Sequence, residues 1–280
     1  MRGIEMARKF DMSRAWNEAL AMLSANRETV LIIAGLFFFL PYLGMMLLLP
    51  DMAEGLSMAG KPGGDPEAAM DALRSFYARH WWVFLLIGLA QAVGMLALLD
   101  LLGPRRPTVG EALKQGTGAL LPYIGSQLIA GFGAGLLLII PLALMAVSPA
   151  AGALLLIAAI VGLIYLMTKF ALVSPVLMID RQRNPVAALR RSWQLTRGNS
   201  LRLFLFIFLI ALAVTVAFIV VSMIAGLIFA LFGPEGALIG NGLVAALLNA
   251  AWAVLILAAL AAVHRQLAGA EPAAPPAPIE

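Results

Sequence analysis

Six stretches of this chain are too long and too apolar to stay in water, and they constrain its fold more than any other feature. They run over residues 29–49, 81–102, 119–147, 150–179, 203–232 and 237–263. A hydrocarbon core about 30 Å thick takes about 20 apolar residues in a helix, which satisfies its own backbone polar groups. Each stretch reaches that length and several exceed it, so tilts, kinks or projecting ends are expected, with Pro122, Pro141, Pro175 and Gly226 as break points. Composition agrees: 62% of residues are hydrophobic and 12% charged, against about a quarter charged in soluble domains. The expected fold is all-α, a polytopic membrane protein with six transmembrane helices.

The basic residues set an orientation. Fifteen Lys and Arg fall in residues 1–28, the 103–118 and 180–202 loops and the C-terminal side, against three (Lys61, Arg74, Arg79) in the 50–80 loop. Under the positive-inside rule the fifteen are cytoplasmic, as are both termini. The net charge of +4 is thus a topology signal rather than a nucleic-acid footprint, and no nucleic-acid partner is expected. The first 28 residues carry five basic and four acidic residues before any apolar run, unlike a secretory signal peptide. The expected domains are a cytoplasmic amphipathic segment at 1–28, a six-span membrane domain at 29–267 and a disordered Pro/Ala-rich tail at 268–280. The location expected for such a compact, Ala-rich chain is a bacterial cytoplasmic (inner) membrane.

A short helix is expected before each odd-numbered span. In SRAWNEALAMLSAN, Ser13 can cap and Trp16, Leu20 and Leu23 share a face. In TVGEALKQG, Thr108 and Glu111 have capping-box spacing and Gly116 can end the helix. In NPVAALRRSWQLTRGNS, Asn184 caps, Pro185 takes the first helical position and Gly198 stops the helix. Ala19-Leu20, Ala112-Leu113 and Ala188-Leu189 hold comparable places. The expected arrangement is three units, each an interfacial cytoplasmic helix followed by a transmembrane hairpin. In the outer loop, Asp65 and Pro66 begin a helix with Met70, Leu73 and Tyr77 on one side, and His80, Trp81 and Trp82 form an interfacial belt.

Two sets of residues are candidates for function. Arg190, Arg191, Arg197, Arg202, Arg105 and Arg106, with Trp193, gather beside apolar runs. On a helical wheel Val186, Leu189, Trp193 and Thr196 share one arc, with Arg190 and Arg197 flanking it, as an interfacial helix level with anionic lipid phosphates would require. The same arginines would also serve as plain topology anchors. The second set is intramembrane: Lys169 and Asp100, with Gln91, Gln127 and Asn249. Ionisable groups there are costly and form a candidate polar cavity, although a long lysine can also snorkel to the interface.

Catalysis is not expected. There is no cysteine and there are two histidines, His80 and His264, so thiolate chemistry and a multi-histidine metal site are excluded. No H-E-x-x-H, no paired carboxylates within one span and no histidine partner for Ser126 is present. No metal or cofactor is expected. Gly131, Gly133 and Gly135, and Gly236 and Gly240, have spacings that allow close helix contact.

The run SPVLMIDRQRNPVAALRRSWQLTRGNSLRLF, through Pro175, Ala188, Leu189, Ser192, Trp193, Leu195, Thr196, Gly198 and Asn199, resembles the glycerophosphoryl diester phosphodiesterase membrane domain family. The resemblance covers about 30 residues and implies a six-span membrane module. In some members that module is joined to a soluble phosphodiesterase barrel built around a metal. Only 17 residues follow Val263, so no barrel and no phosphodiesterase activity are expected here.

The functional expectation is a non-catalytic membrane module that binds lipid head groups, most plausibly anionic, or a partner membrane protein or enzyme, and organises lipid or envelope processes. The alternative is a small transporter or channel with a polar cavity around Lys169 and Asp100. The absence of native cysteine makes the orientation directly testable. Ser13→Cys and Gln182→Cys are expected to react with an impermeant maleimide only from the cytoplasmic side, and Ser57→Cys only from outside; the reverse pattern would overturn the assignment.

Overall fold

The structure, a computed structural model, describes residues 9–48, 66–105 and 107–269. All regular structure among them is helical: α1 (Met12–Ala25), α2 (Arg27–Ala34), a π-helical turn (Gly35–Phe39), α3 (Leu40–Leu48), α4 (Pro66–Leu101), α5 (Val109–Val147) and α6 (Pro149–Phe170), then α7 (Val173–Met178), α8 (Pro185–Leu195), α9 (Ser200–Ala230) and α10 (Gly233–Ala268). Six segments are long and apolar enough to cross a membrane: Arg27–Met46, Met70–Leu101, Val109–Val147, Pro149–Met178, Ser200–Ala230 and Gly233–Ala268. They correspond to the six apolar stretches of the sequence. They leave large apolar side chains uncovered, Leu121 at 80% and Leu227 at 74% exposure. Such surfaces suit lipid, not water.

The chain divides into two compact units. The first comprises Met1–Arg27, Leu96–Ala211 and Leu255–Glu280. Its core joins Leu96, Leu98 and Leu99 of α4, Leu172, Val176 and Leu177 at the end of the fourth span, Leu203 of α9, and Ala258, Ala262 and Val263 of α10. The N-terminal segment is tied into this unit at several points. Asp11 N–H donates to Gln266 Oε1 (2.9 Å), Gln266 Nε2 donates to the Asp11 carbonyl (3.2 Å), and Phe10 N–H donates to Asn199 Oδ1 (3.0 Å). The Phe10 ring meets Phe206 edge-on at 5.4 Å, and Arg265 Nε lies 3.4 Å from Glu18 Oε1.

The second unit comprises Glu28–Met95 and Leu212–Val254, with Val30, Ile33, Phe38, Ala246 and Ala250 buried. Its first span contains the π turn, which the sequence does not announce. Pro41 has no N–H to give the carbonyl of Phe37, so an ordinary α ladder would lose a bond there. The wider register starts just upstream, with Leu40 N–H bonded to the Gly35 carbonyl. Asn249 Nδ2 then donates to the Phe38 carbonyl at 3.3 Å.

Several local expectations change. Asp11, not Ser13, caps α1, accepting from Arg14 N–H at 3.0 Å. α1 buries Ala15, Ala19 and Met22 and leaves Leu20 exposed, because small residues admit closer approach than the expected Trp16/Leu20/Leu23 face. Thr108 and Glu111 do form a capping box (3.3 and 3.0 Å), but α5 passes through Gly116, Pro122 and Pro141 without ending. The 108–116 segment is therefore the start of a long helix. At 1.5 Å per residue α5 is about 58 Å long and reaches well beyond a hydrocarbon core. The outer-loop helix likewise runs unbroken from Pro66 into the second span. The fourth span breaks at Ala171 and Leu172, where Pro175 denies the Ala171 carbonyl its donor, whereas Gly226 lies within an unbroken α9. Residues 49–65, Arg106 and the tail from residue 270 lie outside the described residues.

The glycines also separate into two kinds. A Cβ at Gly94 would fall on Cβ and Cγ of Phe37, and one at Gly240 on the Phe229 ring, whereas Gly131, Gly133 and Gly135 have open space where a Cβ would sit. Among the described residues the GFGAG stretch is thus not a packing contact. Gly94→Ala is expected to lower the thermal midpoint in detergent, by the equivalent of about 1–3 kcal/mol for overpacking. Gly131→Ala is expected to be neutral or slightly stabilising, since helix propensity then acts alone; equal effects would contradict the packing account.

Candidate functional site

α8 is a short helix of the first unit set apart from the spans, and its docking is built residue by residue. Asn184 Oδ1 accepts from the N–H groups of Val186 and Ala187 (3.0 and 3.1 Å), Pro185 opens the helix, and Gly198 adopts φ +81° beyond its end. Thr196 Oγ1 donates to the carbonyls of Ser192 and Trp193 (3.0 and 3.2 Å), satisfying the last turn. α8 packs on α5, α6 and α7, burying Ala188, Leu189, Ser192 and Leu195. Val186 is 60% exposed, so the face that α8 packs on its neighbours shares Leu189 and Thr196 with the apolar arc of the wheel but not Val186. Small Ala188 and Ser192 allow approach that Val186 and Trp193 would block.

The central contact of this docking is a buried hydrogen bond from Ser192 Oγ to the Lys169 carbonyl, 2.7 Å. That carbonyl lies at the end of α6, where the break at 171–172 interrupts the ladder. Lys169 is itself 3% exposed, and its ammonium lies 5.3 Å from the Trp193 ring centroid and 5.4 Å from that of Tyr165. A desolvated cation–π contact contributes on the order of 2 kcal/mol. Among the described residues no carboxylate comes within ion-pair distance of Lys169.

Beside α8 is a second polar group, centred on Asp180. Its Oδ1 lies 3.0 Å from Nε2 of His264, and its Oδ2 3.6 Å from Nε of Arg191. The imidazole is almost fully buried. Burial is the largest influence on Asp180 and pushes its carboxyl up. The hydrogen bonding and charge of His264, together with Arg191, outweigh it and hold the group below the ordinary carboxylate range.

Two clefts meet at Asp180. One, about 440 Å³ and open, is lined by Asp180, Gln182, Ala187, Arg190, Arg191 and Gln194. The other, about 240 Å³, is bordered by Asp100, Gly103, Arg105, Ile179, Asp180 and Arg181 among others. Asp100, 4% exposed, pairs with Arg181 at 3.7 Å, while its Oδ2 is buried without a hydrogen bond. Arg181 has φ +54°, the one described non-glycine residue in the left-handed region. That backbone state disfavours a side chain, yet here it places a guanidinium beside a buried carboxylate.

The structure therefore brings some sequence candidates together and separates others. Arg190 and Arg191 share the larger cleft and Arg105 borders the smaller. Arg197 is exposed and Arg202 half-buried, neither within ion-pair distance of a described carboxylate; Arg106 lies outside the described residues. Within the first unit, Asp100 pairs with Arg181 and not with Lys169, and Gln127 donates to the Tyr123 hydroxyl on its own helix (2.9 Å); within the second, Asn249 serves the Phe38 carbonyl. Gln91 is half-buried in α4.

Sequence reading missed Asp180 and His264 as partners. One signal was available: Asp180 is the lone acid between residues 180 and 202, among six arginines. Comparison of the chain with protein-family models, with curated proteins and with solved structures finds no match.

The Asp100–Arg181 pair yields a test. Arg181→Gly relaxes the backbone but leaves a buried carboxylate without its nearest cation. A net loss of about 1–3 kcal/mol is expected, less than for a fully buried pair because Arg181 is partly exposed. Asp100→Asn/Arg181→Gly is expected to recover most of that loss in thermal unfolding. A single variant more stable than wild type would show the pair to be dispensable.

Proposed function

We propose that this chain is a non-catalytic membrane module that holds anionic lipid head groups at the cleft beside α8, in a bacterial cytoplasmic membrane with both termini cytoplasmic. The observation that carries the reading is the 440 Å³ cleft edged by Arg190, Arg191, Gln182 and Gln194. Two guanidiniums supply paired donors that match a phosphate, and two amides supply neutral donors around them. The cleft opens beside an amphipathic helix, the position a head group would occupy. We also propose that the chain belongs with the glycerophosphoryl diester phosphodiesterase membrane domains. Each quoted residue from Ala188 to Asn199 has a part in seating α8 or tying down the N-terminal segment, so the resemblance supports shared architecture and not a shared reaction.

One observation favours a second reading, transport: Lys169 keeps a buried ammonium with no carboxylate in ion-pair reach among the described residues. The aromatic pair at 5.3 and 5.4 Å already stabilises that charge, so the head-group reading is preferred.

Native mass spectrometry of protein gently extracted from its membrane separates the two. Wild type is expected to retain phosphatidylglycerol or cardiolipin above its share in the membrane. Arg190→Ala/Arg191→Ala/Arg197→Ala is expected to weaken retention roughly a hundredfold, at about 1 kcal/mol per basic residue, while Arg74→Ala/Arg79→Ala leaves it unchanged. Equal retention by the triple variant would reduce those arginines to topology anchors and bring Lys169 forward, to be tested by solute flux in liposomes.

A further inference from the structure

We propose that Asp180 is a counter-ion shared between His264 and Arg191, so that protonation of His264 frees Arg191 for an anionic head group and tightens binding in acid. The inference rests on the head-group reading above and adds its regulation.

The geometry is that of a competition. One carboxylate oxygen lies 3.0 Å from the imidazole and the other 3.6 Å from the guanidinium. Asp180 also forms part of the wall of the 440 Å³ cleft, so its charge faces any anion that enters. With His264 neutral, Asp180 neutralises Arg191, and an incoming phosphate meets a carboxylate. With His264 charged, the imidazolium balances Asp180 and the positive charge of Arg191 is uncommitted. Histidine is the side chain whose charge ordinarily changes between about pH 5 and 8, and Asp180, held below the ordinary carboxylate range, stays ionised throughout.

The remaining charged groups do not remove the effect. Across the smaller cleft Asp180 faces Asp100, Arg105 and Arg181, of which Asp100 and Arg181 pair with each other. On the helix that carries His264, Arg265 is engaged by Glu18. Arg190, on the rim of the larger cleft, keeps its charge at every relevant pH. A purely structural His264–Asp180 contact would tie α10 to the loop and leave ligand affinity independent of pH.

The test uses the full chain in phosphatidylcholine nanodiscs titrated with phosphatidylglycerol, read by native mass spectrometry at about pH 5.5 and 8. Wild type is expected to bind at least about fivefold more tightly in acid, the lower end of typical site-to-site coupling. His264→Gln is expected to abolish the difference, and Asp180→Asn to bind tightly at both pH values. Reciprocity requires phosphatidylglycerol to raise the titration midpoint of His264 by the same factor. That midpoint is readable by NMR in wild type, which has one other histidine, His80, so the test survives a variant that fails to fold. Inorganic phosphate as the titrant identifies the source of the anion. An equal pH response to it assigns a soluble phosphate and none assigns an anchored head group, and either supports the shared counter-ion. Binding by wild type that ignores pH, or a pH response that persists in His264→Gln, overturns the proposal. Phosphatidylglycerol binding by Arg190→Ala/Arg191→Ala equal to wild type at both pH values overturns instead the head-group reading beneath it.

Discussion

A backbone amide or carbonyl inside hydrocarbon has no water to bond, and each one left over costs several kcal/mol. Most of this chain answers that constraint by being helix. The informative places are those where the ladder fails. Pro41 interrupts the first span, where a π turn widens the register and the Asn249 amide reaches the neighbouring Phe38 carbonyl. Pro175 interrupts the fourth, and Ser192 reaches in from another helix to the Lys169 carbonyl just before the break. In both cases a side chain from another helix bonds a carbonyl close to the break, so a local irregularity in one helix becomes a place where two elements meet.

The first unit applies the same logic to charge. Lys169 is buried against two rings, Asp100 against Arg181, and Asp180 against His264 and Arg191. Each arrangement offsets desolvation with a specific partner, which is how polar groups persist near a bilayer. Arg190, with no described carboxylate in ion-pair reach, and Arg191, which Asp180 engages, border the same open cleft. Structural and binding roles thus meet in neighbouring residues of one short helix.

What the sequence made legible follows from how local each signal is. The six spans are announced by apolar length alone. The ends of α8 are announced by Asn184, Pro185 and Gly198, because capping is decided within a few residues. The face that α8 packs on its neighbours is only partly the apolar arc, because a helical wheel weighs side chains by hydropathy, while Ala188 and Ser192 are buried by virtue of size. A lone acid among six arginines marks Asp180, but the contacts of Asp180 with His264 and of Asp100 with Arg181 were not legible. They join segments whose proximity depends on the packing of whole helices, and nothing at either position states its partner.

The N-terminal latch carries a consequence for how the protein is made. Asp11 is bonded to Gln266 in both directions, across 255 residues. Synthesis proceeds at about 5–20 residues per second, so roughly 10–50 s separate the appearance of the two halves of that contact. Throughout that interval Ala15, Ala19 and Met22 of α1 lack the neighbours that cover them in the finished fold. The latch therefore closes only after α10 has been made, and the first helix is fastened long after it has left the ribosome.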